Sequence, residues 1–138
     1  MSKLFEETTI KGLILPNRFV RSATWEGLAG DDGSTTHRLI DISVQLARGG
    51  IGLIFTGHAY VSREGQAGAW QLGVYYDQLA PGLAEMTSAV HSSGGKIAMQ
   101  LAHAGSRAAS RLSGLEAIGP SVAEIDSAPT GREMTKED

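Results

Sequence analysis

Three short stretches concentrate the residues whose types could do chemistry: Ser22-Ala23-Thr24, Thr56-Gly57-His58 and Gln100-Leu101-Ala102-His103. Each follows apolar residues and mixes small, hydroxyl-bearing or amide-bearing side chains, so each is expected where a buried strand opens into a loop. Small residues let a flat ring lie close to backbone. The Gln100 amide donates and accepts hydrogen bonds at once, as the edge of a heterocycle requires. Taken singly, Ala23 and Gly57 are explained as well by close packing, and Gln100 by a bond to neighbouring backbone. Their recurrence at three consecutive strand ends favours a cofactor pocket.

Other chemistries lack their residues. The chain has no cysteine, which excludes a disulfide frame, a thiolate metal site and a cysteine nucleophile; a cytoplasmic, reducing location is expected. The histidines His37, His58, His91 and His103 do not fall at a metal-binding spacing, and His37 and His91 belong to helix surfaces, so no metal is expected. No Gly-x-Ser-x-Gly elbow is present, and no glycine-rich phosphate loop follows a strand. With 12 Lys and Arg against 15 Asp and Glu, a net charge of -3 provides no basic face for nucleic acid. No apolar run approaches the roughly 20 residues of a membrane-spanning helix, and the polar start MSKLFEETT lacks the apolar segment of a secretory signal.

The elements that must carry these stretches follow from the pattern. Residues 8–20 alternate loosely, with a turn at Lys11-Gly12 and a break at Pro16-Asn17, which reads as a hairpin followed by a strand over Arg18–Ala23. After the loop GLAGDDGSTT, Thr35 or Thr36 is placed to cap a helix whose apolar face includes Leu39, Ile40, Leu46 and Ala47 and which ends at Arg48 before Gly49-Gly50. Ile51–Phe55 is a short, nearly unbroken apolar run, the mark of a strand covered on both faces. A polar segment from His58 to Gly73 leads to a second helix, with Leu79, Leu83, Met86 and Val90 at helical spacing. Asp77 is its candidate cap, and Pro81 delays its regular part. It ends at Ser92-Ser93-Gly94-Gly95, and Lys96–Leu101 is the next strand.

The passages LARGG-IGLIFTG and VHSSGG-KIAMQLAHAG thus repeat one plan of helix, double glycine, buried strand and small or polar residues. A βαβαβ unit follows, compatible with a doubly wound sheet or a (β/α) barrel, and pattern alone leaves both open. After Gly119-Pro120-Ser121 the tail reads as a loop containing Pro129 and Gly131. It closes on Thr135-Lys136-Glu137-Asp138, a pattern that normally opens a helix. The 138 residues would suffice for one core, since a chain of about 150 residues buries roughly 70% of its unfolded surface. The motif order instead suggests the first part of a larger domain.

The passages LFEETTIKGLILPNRFVRSATWEG, GGIGLIFTGHAYV, KIAMQLAHAGSR and IGPS resemble the N-terminal part of the Old Yellow Enzyme family of FMN-dependent NAD(P)H:flavin oxidoreductases, over nearly the whole chain. The resemblance implies α/β architecture: the N-terminal portion of a (β/α)8 TIM barrel, with an N-terminal hairpin over residues 1–17 and the first βα units over 18–138. It implies FMN as cofactor, NAD(P)H as reductant, and hydride transfer through the flavin to an activated alkene. By position, Ser22, Ala23 and Thr24 would line one edge of the flavin, Gly57 would take the small second-strand position, and Gln100 would bond the pyrimidine edge. His103 matches the motif histidine, read as shaping the loop above its strand. Trp25 departs from the Thr or Cys common in the family, so either the flavin is tuned differently or Thr24 substitutes, with Trp25 and His103 as candidate flavin-tuning or pocket residues.

The family's substrate-binding pair on the fourth strand, its proton donor and its phosphate-binding loops have no counterpart in the sequence, so no catalytic residue is assigned within the chain. A barrel takes about 250 residues. The expectation is a segment that is inactive alone and is completed by the rest of a barrel or a complementing chain, or that self-associates as a homo-oligomer. The competing reading is a non-catalytic βαβ interaction or binding module whose strand ends serve only packing.

Overall fold

The computed structural model describes residues 3–125 and 128–138. After a single 3₁₀ turn at Lys3–Phe5, β1 (Thr8–Ile10) and β2 (Leu13–Leu15) form an antiparallel hairpin with Thr8 opposite Leu15. Its turn is the expected one. Lys11 and Gly12 both have positive φ, 44° and 88°, the handedness that matches the twist of a two-residue hairpin.

β3 is shorter than its sequence pattern suggested, covering only Val20–Arg21. The Ser22 carbonyl receives hydrogen bonds from Arg21 Nη1 (2.7 Å) and Thr24 Oγ1 (3.2 Å), so side chains satisfy the backbone where a neighbouring strand would have. At its other end Asn17 ties the strand to the next unit: its Oδ1 accepts from Phe19 N and its Nδ2 donates to Gly50 O.

α1 (His37–Arg48) starts at Thr36, whose hydroxyl oxygen accepts from Leu39 N at 3.3 Å and donates to Leu28 O at 2.5 Å. Its buried residues Leu39, Ser43 and Ala47 stand four apart, one helical stripe. β4 (Leu53–Tyr60) begins two residues later and runs five residues further than the apolar run Ile51–Phe55 implied. Thr56, Gly57 and His58 therefore lie inside the strand, not at its mouth. A 3₁₀ turn at Asp77–Leu79 leads into α2 (Ala80–Ser92), with Pro81 in its first turn. The N-cap position belongs to Leu79, which makes no side-chain cap bond, so Asp77 does not cap this helix. β5 (Ile97–Ala102) follows.

The three strands form a parallel sheet in the order β3-β4-β5. Two apolar clusters pack the helices on it: Ala29, Leu39, Ala59, Leu72 and Met86 in one, Ala47, Ile54 and Val90 in the other, with Ile97 touching both. The repeated helix–strand plan is thus one βαβαβ layer. Among the described residues no helix is long and apolar enough to cross a membrane.

The segment read as a loop is more ordered than expected. α3 (Ser110–Ser113) is a single turn, β6 (Ile118–Gly119) pairs in parallel with β9 (Arg132–Glu133), and β7 (Ala123–Ile125) pairs antiparallel with β8 (Ala128–Thr130). Two- and three-residue strands carry too little periodicity to register in a sequence pattern. Thr135–Asp138 does hold the hydrogen bonds of a helix start: Asp138 Oδ2 accepts from Thr135 N at 2.8 Å, and Thr135 Oγ1 accepts from Glu137 N at 3.3 Å.

Candidate cofactor-binding site

The sheet face opposite the helices is defined by β5. Ile97 and Met99 pack with the helix-side cluster, so alternation sends Ala98, Gln100 and Ala102 to the other face. On β4, Phe55 pairs with Ala98 and His58 with Gln100, leaving Thr56 and Gly57 opposite the single residue Met99. This is a β-bulge, and it changes the side to which everything beyond it points. Regular alternation from the buried helix-side Ile54 would send His58 toward the helices; the bulge puts it beside Gln100 and returns Ala59 to the core. Thr56 Oγ1 accepts the Gln100 N–H at 3.3 Å, so a hydroxyl replaces the carbonyl that the bulge removes from the ladder.

Gly57 has a packing reason to be glycine. A Cβ there would fall 2.5 Å from Glu26 Oε2 and 2.9 Å from the Thr24 carbonyl oxygen. The segment after β3 therefore lies directly on β4. It is held by the Arg21–Glu26 ion pair at 2.9 Å, both side chains largely buried. Ser22 and Thr24 are exposed and Ala23 half-buried on this segment. The Thr24 hydroxyl donates to Ser22 O, which leaves it only lone pairs to offer.

The Gln100 side chain is exposed, and its amide makes no hydrogen bond among the described residues. Trp25, 53% exposed, lines a cleft of about 340 Å³ together with His58, Ala67 and Gly68. In the sequence His58 belongs to a candidate stretch but has no role of its own, since it lacks metal-ligand spacing. Its place beside Gln100 depends on the bulge, and the only local signal for that was the small pair Thr56-Gly57.

His103 sits apart from this cleft's lining. Its Nδ1 accepts from Gly105 N at 3.0 Å, which assigns the remaining proton of the neutral ring to Nε2. The ring lies on Gly65, where a Cβ would collide with it, and Ala104 N donates to Gly65 O at 2.9 Å. His103 thereby joins the loop after β5 to the 3₁₀ turn Arg63–Gly65. The structure brings Thr24, Trp25, Gly57 and His58 together, sets Gln100 in register with His58, and leaves His103 on the neighbouring loop.

Two buried glutamines shape the wall of the cleft. Gln71, 1% exposed, donates to His58 O and accepts from Ala67 N and Gly68 N, while Gln66 Nε2 donates to Gly68 O. Behind them Tyr60 and Tyr75 stack, centroids 5.0 Å apart, and both hydroxyls donate to Asp32 O. Burial foremost, with Tyr75 beside it, raises the Tyr60 phenol above its ordinary value, so it remains a neutral donor.

A parallel βαβαβ layer with an antiparallel hairpin before it is the beginning of a barrel rather than a closed one. Solved structures share this fold across essentially the whole chain. The Old Yellow Enzyme homologue from Zymomonas mobilis matches with a TM-score of 0.85 at 24% identity, covering 99% of this chain and 41% of that one. A 2-naphthoyl-CoA reductase matches with a TM-score of 0.90 at 23% identity, covering 98% and 23%. The architecture is the N-terminal portion of an Old Yellow Enzyme-type (β/α)8 barrel. Residues 3–138 match the model of the NADH:flavin oxidoreductase / NADH oxidase family, and the chain belongs to that family. An NADH oxidase of Thermoanaerobacter brockii is 41% identical over 120 residues, covering 86% of this chain and 18% of its own length. An NADPH dehydrogenase of Listeria welshimeri is 35% identical over 139 residues, covering 99% and 40%. The chain therefore spans less than half the length of these relatives.

Proposed function

We propose that this chain is the N-terminal, flavin-side segment of an FMN-dependent oxidoreductase that uses NAD(P)H to reduce an activated alkene or similar acceptor. The observation that carries this reading is the Gln100 amide, unpaired among the described residues, on a sheet face beside small residues, in a chain of this family. The donor set fits the polar edge of a flavin, because an amide supplies both the donor and the acceptor that its pyrimidine ring requires. Held by Gln100 and bordered by Ser22, Ala23 and Thr24, FMN would supply hydride transfer between NAD(P)H and one alkene carbon, with a proton completing the other.

The chain's own part in this is binding. Gln100 holds the pyrimidine edge, and Ser22, Ala23 and Thr24 border the ring. Gly57 lets the segment bearing Thr24 lie close to β4, and its own upper side is filled by Thr24 and Glu26. Trp25 and His58 wall the neighbouring cleft, and His103 shapes the adjoining loop. The phosphate end and the catalytic groups come from the remainder of a barrel, and a nicotinamide-driven reaction suits a cytoplasmic, small-molecule role.

The experiment is to purify the protein together with the remainder of its barrel, release any bound flavin by denaturation and identify it, then add NADH or NADPH anaerobically. The expected result is FMN in near-stoichiometric amount, bleached by a nicotinamide and recoloured by 2-cyclohexenone. Flavin content should fall in Gln100→Leu. Absence of FMN, or FMN that neither nicotinamide bleaches, would overturn the proposal.

A further inference from the structure

A second cleft, of about 370 Å³, lies beside the first and is lined by Gly27, Leu28, Ala29, Thr36, Arg38 and Trp70. The two clefts are lined by neighbouring stretches of the same two segments. Trp25 borders the first and Gly27 the second, and in the other wall Ala67 and Gly68 border the first and Trp70 the second. The Ala29 N–H donates to Trp70 O at 3.1 Å and joins the two walls. The Trp25 ring lies against Gly27, so residues lining the two clefts touch.

Two lining residues are not explained by the fold. Arg38 is exposed and its side chain makes no ion pair or hydrogen bond among the described residues. It sits in the first turn of α1, which holds no acidic residue, and a cation is disfavoured at that end of a helix. Trp70 leaves its indole 52% exposed. It does so on a backbone with φ of 54°, a costly conformation for a bulky residue. The buried Gln66 and Gln71 hold this turn rigid. A free guanidinium and an open aromatic face thus border one cleft, the complement of a flat ligand carrying a carboxylate.

We infer that the cleft between Arg38 and Trp70 is an acceptor subsite, and that the protein prefers planar conjugated acceptors bearing a carboxylate remote from the reacting double bond. Arg38 pairs with the carboxylate, and Trp70 covers the flat part. The inference rests on the oxidoreductase reading, since it names the acceptor class for that site. Both residues govern which acceptor binds and leave the hydride chemistry to the flavin.

The test compares 4-carboxycinnamaldehyde with cinnamaldehyde as acceptors for the flavin-loaded protein, in the unmodified form, Arg38→Gln and Arg38→Lys. The ratio of kcat/KM values, carboxylated over neutral, should fall about tenfold or more in Arg38→Gln, the scale of a lost charge-assisted hydrogen bond. The change should lie in KM, and Arg38→Lys should restore part of it. Trp70→Ala should raise KM for both aromatic acceptors. An unchanged ratio in Arg38→Gln overturns the subsite. Calorimetric titration of the same proteins with benzoate reads the cleft without any turnover. Benzoate binding lost in Arg38→Gln supports the subsite even where no acceptor is reduced, whereas equal binding by both proteins counts against it. Absence of bound flavin fails only the oxidoreductase reading.

Discussion

Gly57 shows how a single missing methyl group permits the site. With Glu26 Oε2 and the Thr24 carbonyl where a Cβ would stand, Gly57→Ala forces either the buried Arg21–Glu26 pair or the 24–26 backbone to move. Overpacking of this kind costs about 1–3 kcal/mol, so the urea midpoint should fall with an unchanged denaturant slope. The same substitution should loosen flavin binding, because Ser22, Ala23 and Thr24 ride on the displaced segment. At Thr24 the hydroxyl proton is already committed to Ser22 O. If Thr24 tunes the flavin in place of the family's usual residue at position 25, Thr24→Ala must shift the midpoint potential of the loaded protein. A potential unchanged by that substitution would return the role to Trp25 or His58.

At the scale of the element, the capping of α1 and the folding of the 118–138 segment give separate tests. Thr36 both receives the Leu39 N–H and donates to the Leu28 carbonyl, so its hydroxyl joins the helix to the loop that walls the second cleft. Thr36→Ala should cost about 1–2 kcal/mol, the upper part of the range for a lost N-cap, and Thr36→Ser should recover most of it in thermal denaturation. In the β6–β9 segment, Asp138 is held well below its ordinary 3.8, first by the Arg132 guanidinium and then by the Thr135 amide and hydroxyl. A depressed carboxyl pKa means that the stabilisation is present above the unfolded value and lost as pH falls through the folded one. Acidification below 3.8 should therefore begin to cost stability, and the Arg132 clamp should release only as pH falls further, through the depressed folded value. Proton resonances of Thr135 should report the change, and Asp138→Asn should abolish it.

At the scale of the whole molecule, the three-stranded sheet has β3 and β5 at its edges. Among the described residues β3 and β5 each pair on one side only, with Leu101 63% and Val20 50% exposed. Unpaired parallel edges with apolar side chains favour association. The 138-residue chain by itself should sediment as more than one protomer, and Leu101→Lys should shift it toward the monomer. A chain that remains monomeric at tens of micromolar would contradict this expectation. The segment after β5 folds into the small β6–β9 and β7–β8 pairs.

Periodicity and punctuation in the sequence determined the parts governed by local interactions. The Lys11-Gly12 hairpin, the Thr36 cap, the helix ending at Arg48 before its paired glycines and the alternating order of helix and parallel strand were all legible, because each depends on residues within a few positions of one another. Tertiary structure alone decided the rest. The length of β4 and its bulge arise from pairing with β5, and they turn His58 to the face of Gln100 against the simple alternation. The 118–138 pairings are too short to carry a period, and the strained placement of Trp70 depends on Gln66 and Gln71 bonding across a turn. Nor could composition reveal that Gly57 makes room for Glu26 and the Thr24 carbonyl, which reach it from another strand's end. Nearby residues specify an element, but which side chains share a surface depends on register and contact between elements distant in the chain.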